Sequence, residues 1–193
     1  ATSVSTRPNR LRAWAKSRLG STNDDVSLII TNGEGVSHTP DHTKMVNSLD
    51  ADQIDAREST PSIDTLAQAV TLASDPTPRP GMGKTVLFVT STVEEEIEQT
   101  VRDITLQAQQ QGIRIEIWLV ASPGALITNS TEKLLTIATA TGGQVFTFSG
   151  EETLPSPEVF LEPMRSIYRI AYRSKIGLSG EHKLIAQVLV GEE

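Results

Sequence analysis

The sequence predicts an α/β fold, a three-layer, doubly wound sandwich around a mostly parallel sheet with a C-terminal β-hairpin. Three observations carry that expectation. "TVLFVT" (85–90) is continuously apolar, as strands covered on both faces of a parallel sheet are. Amphipathic helical patterns stand between this run and the later strands "IRIEIWLVA" (113–121) and "QVFTFS" (144–149). Glycines at 112 and at 142–143 stop those helices before the next strand begins. Strand, helix, strand, helix, strand requires crossover connections and so a doubly wound sheet.

The elements follow in order. Residues 8–19 place Leu11, Trp14, Ala15 and Leu19 on one helical face, with Pro8 in the first turn and Gly20 just past the end. "DVSLIIT" (25–31) is a short apolar strand ended by Asn32-Gly33, and "GVSHT" pairs back on it as an edge strand. A polar stretch, 40–59, holds a short helix around Lys44 to Leu49. Thr60-Pro61 opens a helix whose Ile63, Leu66, Ala67, Val70 and Ala73 follow helical spacing, and "DPTPRPGMG" closes it as a rigid loop. A helix from about Val93 to Gln111 turns Ile97, Val101, Ile104 and Ala108 inward, with its glutamates at the positive N-terminal end. Residues 131–141 form the next helix and "SPEVFLEPMRSI" one more. "YRIAYRS" and "HKLIAQVLV" form the terminal hairpin, so the chain divides into an α/β domain, 1–165, and a hairpin extension, 166–193. The parallel strands are expected at 26–31, 85–90, 113–121 and 144–149.

Composition limits the function. A chain of 193 residues can bury a full core. Its 24 acidic against 17 basic residues give a net charge of −7, which disfavours nucleic acid as a partner. Without cysteine there is no disulfide and no thiolate metal site. No apolar run approaches the roughly 20 residues that span a bilayer, so no membrane insertion by this segment is expected. The start "ATSVSTRPNR" lacks a signal-peptide pattern, and a chain opening at Ala1 reads as a segment of something longer.

Most chemical signatures fail on inspection. "PRPGMGKT" ends like a phosphate-binding loop, but Pro78 stands where the first Gly belongs and a strand follows instead of a helix. "GLSGE" has Glu181 in place of the last Gly of a nucleophile elbow. His38, His42 and Asp41 have metal-ligand chemistry but lie in a loop without a third anchor, so they read as surface residues. "DADQID" lacks the glycine and terminal Glu of a calcium loop. Asn129-Ser130-Thr131 fits a glycosylation acceptor, a pattern short enough to arise by chance.

Several segments resemble von Willebrand factor A (VWA) domains, whose fold is Rossmann-like. "EKLLTIATATGGQVFTFSG" is similar to the family's late helix and last core strand, through Leu134, Ile137, Ala138, Thr141, Gly142, Gly143 and Phe146. "TPSIDTL" resembles the Thr-Pro-x-x-Asp-x-Leu opening of the helix before the fourth strand, through Thr60, Pro61, Asp64 and Leu66. "KTVLFVTS" is similar to the strand that ordinarily ends Thr-Asp-Gly, "QQGIRIEIWLV" to the fifth strand, and the terminal segments to the hairpin of some bacterial members. The resemblance covers residues 8–190.

The resemblance implies a metal-ion-dependent adhesion site at the top of the sheet, which hard Mg²⁺ would occupy through oxygen ligands and waters. Only Thr60 of the family's ligands is present. Ser91 stands where the fourth-strand Asp belongs, and the first strand with its Asp-x-Ser-x-Ser is missing, "ATSVS" offering Ala1 where the acid should be. That strand is expected upstream of this chain, or removed from it. Without it the sheet gap must be filled by other residues or invites association, since an open edge of unpaired backbone is a pairing template. Thr60 then reads as the N-cap before Pro61, and Ser91 and Thr92 as caps of the acidic helix. Glu94, Glu95, Glu96 and Glu98 read as a solvated helix start.

Three function classes remain. The leading one is a non-enzymatic, adhesion-type module that binds a protein partner through loops at the carboxyl edge of the sheet, with Thr60, Ser91 and Thr92 as binding residues. It carries no resident cofactor, Mg²⁺ entering only if upstream ligands are supplied. The family implies an extracellular or cell-surface setting. A structural spacer within a larger protein is the alternative, and an α/β enzyme is disfavoured by the lack of a nucleophile, base and orienter set.

Overall fold

A computed structural model describes residues 6–18, 24–31, 35–51, 62–91, 93, 97–120, 128–149 and 155–165. These form a mixed α/β structure with six helices, a three-stranded parallel sheet and a separate two-stranded antiparallel sheet. The proposed C-terminal hairpin, 166–193, lies outside the described residues.

The parallel sheet is built from β3 (Lys84–Thr90), β4 (Ile113–Val120) and β5 (Val145–Phe148), in the order β3-β4-β5. Its register runs from Lys84 opposite Ile113 to Thr90 opposite Leu119, and from Ile117 opposite Val145 to Val120 opposite Phe148. The connecting helices are α4 (Glu98–Gln111) and α5 (Asn129–Ala140). Central β4 is buried at every position but Arg114, because both of its faces are covered.

The period of two along the strands separates two cores. Ile113, Ile115, Ile117 and Leu119 of β4, with Val86 and Phe88 of β3, face α3 (Ile63–Ala73), α4 and α5. Their helical partners are Leu66, Val70, Val101, Ile104, Leu134 and Ile137, each nearly or wholly without solvent contact. Burying a side chain of this size stabilises the fold by about 1.5–3 kcal/mol. On the opposite face Trp118, Val120 and Phe148 pack with Phe160 of α6 (Glu158–Arg165) and the half-buried Leu11 of α1 (Thr6–Arg18). Trp118 meets Phe148 and Phe160 edge-on, at 6.1 and 6.0 Å between ring centroids. Helices therefore flank the sheet on both sides.

The predicted strand at 26–31 differs from expectation. Val26–Leu28 (β1) pairs antiparallel with Val36–Thr39 (β2) and is not part of the parallel sheet. The hairpin was legible in the Asn-Gly turn signal, whereas membership of the larger sheet depends on neighbours that a short apolar run does not specify. The half-buried Val26 and Leu28 pack against a third cluster, made by Trp14 and Ala15 of α1 with Met45, Val46 and Leu49 of α2 (His42–Ala51).

Two predicted helix starts also shift. The N-cap of α3 is Ser62, whose hydroxyl accepts from the Asp64 backbone N–H, in place of the expected Thr60, which lies outside the described residues. Helix α4 begins at Glu98 after Ile97, with no side-chain cap, so Ser91 is not its cap, and Thr92 lies outside the described residues. Val93 and Ile97 are buried in the core instead, and that burial ties the segment entering α4 to the sheet.

Candidate functional site

Two places gather polar chemistry: the carboxyl end of the parallel sheet and a cleft beside the β1-β2 hairpin.

At the first, β3 ends in the buried Thr90, and the half-buried Ser91 follows directly. The parallel register puts Ser91 at the same edge as the end of β4, where Leu119 lies opposite Thr90. Of the predicted binding residues only Ser91 lies among the described residues; Thr60 and Thr92 fall outside them. Ser91 adds a neutral hydroxyl to this edge and no charge. Among the described residues, no group of three or more His, Cys, Asp or Glu side chains is placed to hold a metal ion.

The predicted motifs resolve into structural junctions. Lys84 of the loop that resembles a phosphate cradle is the first residue of β3, and its ammonium donates to the carbonyls of Ser74 and Asp75 at 3.2 and 2.9 Å. Thr141-Gly142-Gly143 closes α5: Gly142 N–H donates to Thr139 O and Gly143 N–H to Ala138 O, the paired bonds of a Schellman cap. Gly142 takes φ 79°, and a Cβ on Gly143 would lie 1.9 Å from the Ile115 carbonyl oxygen. Beside it the fully buried Glu116 accepts from the Gln144 N–H at 2.8 Å. Arg114 Nε lies 2.7 Å from the other Glu116 oxygen, a charge contact not aligned as a hydrogen bond. The helix-to-strand turn is thus locked onto β4.

The second place was not visible in the sequence as a site. An open cleft of about 750 Å³ is lined by Asp24, Asp25, His38, Asp75 and Arg79, with Pro40, Pro76 and Pro78 shaping its walls. His38 Nδ1 lies 2.8 Å from Asp25 and Nε2 3.2 Å from Asp75, while the His38 N–H donates to Ser27 Oγ. The hydrogen bond to Asp25 is the main cause holding the His38 pKa above the ordinary value, with Asp75 adding to it against some desolvation. His38 also has φ 49°, a left-handed conformation in which histidine is enriched among non-glycine residues. Residues 25, 38 and 75 share no sequence periodicity, so only the packing of the hairpin against the end of α3 unites them. His42, expected with His38 and Asp41 in one loop, instead begins α2, and Asp41 precedes it, its Oδ1 accepting from the Thr43 N–H at 2.8 Å.

On the far side of Asp24, Arg165 of α6 donates to both Asp24 oxygens and to Glu158. Glu158 in turn accepts from the Trp14 indole at 3.0 Å. This chain of charge-assisted bonds joins α6 to the hairpin and to α1, and it raises the Arg165 pKa chiefly through Asp24.

Fold and site together define a mixed α/β protein with a parallel sheet covered by helices on both faces. No protein-family model matches the chain, and no curated protein matches it in sequence.

Proposed function

We propose that the chain is a VWA-like, doubly wound interaction module that binds a protein partner, without catalysis, through the segments at the carboxyl edge of the parallel sheet. The observation that carries this reading is the arrangement of β3, β4 and β5: a parallel sheet whose strands end at one edge, with Ser91 following the first of them. Open α/β sheets bind at that edge. The separation of the β1-β2 hairpin from the three-stranded sheet among the described residues supports it further. A VWA-like sheet without its central strand would be divided in this way.

The partner contact is metal-independent, because Ser91 cannot supply the charge that offsets dehydration of Mg²⁺. No helix among the described residues is long and apolar enough to cross a membrane. Affinity capture with the whole chain, run in Mg²⁺ and in EDTA, tests the proposal. The same partner should be captured in both conditions and lost with Ser91→Arg, which places a bulky charge at the edge. Capture that survives Ser91→Arg, or that needs Mg²⁺, overturns it.

A further inference from the structure

The geometry points to His38 as a pH-operated latch that, when protonated, ties the β1-β2 hairpin to the end of α3 and fixes the two walls of the cleft between them. Both ring nitrogens face carboxylate oxygens, Nδ1 toward Asp25 at 2.8 Å and Nε2 toward Asp75 at 3.2 Å. A neutral imidazole has one N–H and one lone pair, so it can satisfy only one of these contacts. The other would set a lone pair against a carboxylate. Only the imidazolium donates to both.

The two contacts are unequal. Asp25 is 16% exposed and lies at the shorter distance, whereas Asp75 is 56% exposed and more distant. On deprotonation the remaining proton stays on Nδ1, with the more sheltered Asp25, and the bridge to Asp75 is released. Asp75 follows the Ser74 cap of α3 and begins the loop that leads through Arg79 to β3, so its release frees one wall of the cleft.

The charges that face His38 favour the protonated state. Asp25 comes from the hairpin and Asp75 from the α3 end. Asp24 lines the same cleft but is paired with Arg165. The nearby cations are Arg79 on the cleft wall and Lys84, whose ammonium binds the Ser74 and Asp75 carbonyls. In the sign of the linkage, a histidine held above its ordinary pKa of about 6.5 contributes its stability in full below that value and loses it as pH rises through the folded midpoint.

The test is a pH titration of the whole chain by NMR, with the His38 ring signal assigned by its loss in His38→Asn, which tolerates the same left-handed backbone. The His38 midpoint should lie above about 6.5, should fall in Asp75→Asn, and should be reported by the backbone amides of Thr77 and Gly81 in the wild type only. The melting temperature should decline above neutral pH in the wild type and lose that slope in His38→Asn. A midpoint at or below the ordinary value, a midpoint unmoved by Asp75→Asn, or loop amides that stay flat across it would overturn the latch.

Discussion

Gly143 shows how much a single residue position can decide. Its Cα approaches β4 so closely that any Cβ would meet the Ile115 carbonyl at 1.9 Å, and backbone on both sides leaves no flexible group to move aside. Neighbouring Gly142 is constrained differently: a Cβ there meets nothing within 4 Å, but φ 79° is costly for an L side chain. Gly142→Ala should therefore cost about 1–2 kcal/mol, the left-handed strain alone. Gly143→Ala should cost more, near the upper end of the usual range for point mutants at about 3 kcal/mol. Urea denaturation of both variants checks the order, and equal costs would show that the close approach relaxes.

At the scale of elements, the start of α3 separates two readings of one stretch. The Thr60-Pro61 pair looked like the cap, but Ser62 has the extended backbone of an N-cap and its hydroxyl accepts from Asp64 at 3.1 Å. Ser62→Ala should destabilise the protein by about 0.5–2 kcal/mol, while Thr60→Ala should leave the melting temperature of the metal-free chain unchanged. The existence of this helix was legible because Ile63, Leu66 and Val70 repeat at helical spacing and are buried. Its first residue was not, since Thr and Ser are both good caps and the choice rests on local backbone geometry. The same limit applies at α4: three glutamates after Thr92 read as a helix start, yet the helix begins at Glu98 because Val93 and Ile97 are drawn into the core first.

For the whole molecule, the question is whether a cation contributes to the fold. A ligand at about 100 times its dissociation constant stabilises the folded state by about 2.7 kcal/mol, which a melting curve resolves readily. Exchange of millimolar Mg²⁺ or Mn²⁺ for EDTA should leave the melting temperature of this chain unmoved. A rise of several degrees that vanishes in Thr60→Ala would restore a cation-bridged contact at the carboxyl edge. Measured at one fixed pH, the comparison is independent of the latch.

The sequence by itself determined the α/β class, the helices and strands between residues 84 and 165, and the hairpin that flanks Asn32-Gly33. These depend on local signals: hydrophobic period, glycine stops and turn residues act within a few positions of the chain. The tertiary structure decided what those elements touch. It paired β1 with β2 apart from the parallel sheet, locked Gly143 and Glu116 at the α5-β5 turn, and joined Asp25, His38 and Asp75 across 50 residues of chain. The physical reason is the same in each case. An apolar run specifies that a strand will be buried but not against which neighbour, and a lone histidine has no ordered partner until packing brings two carboxylates to its ring.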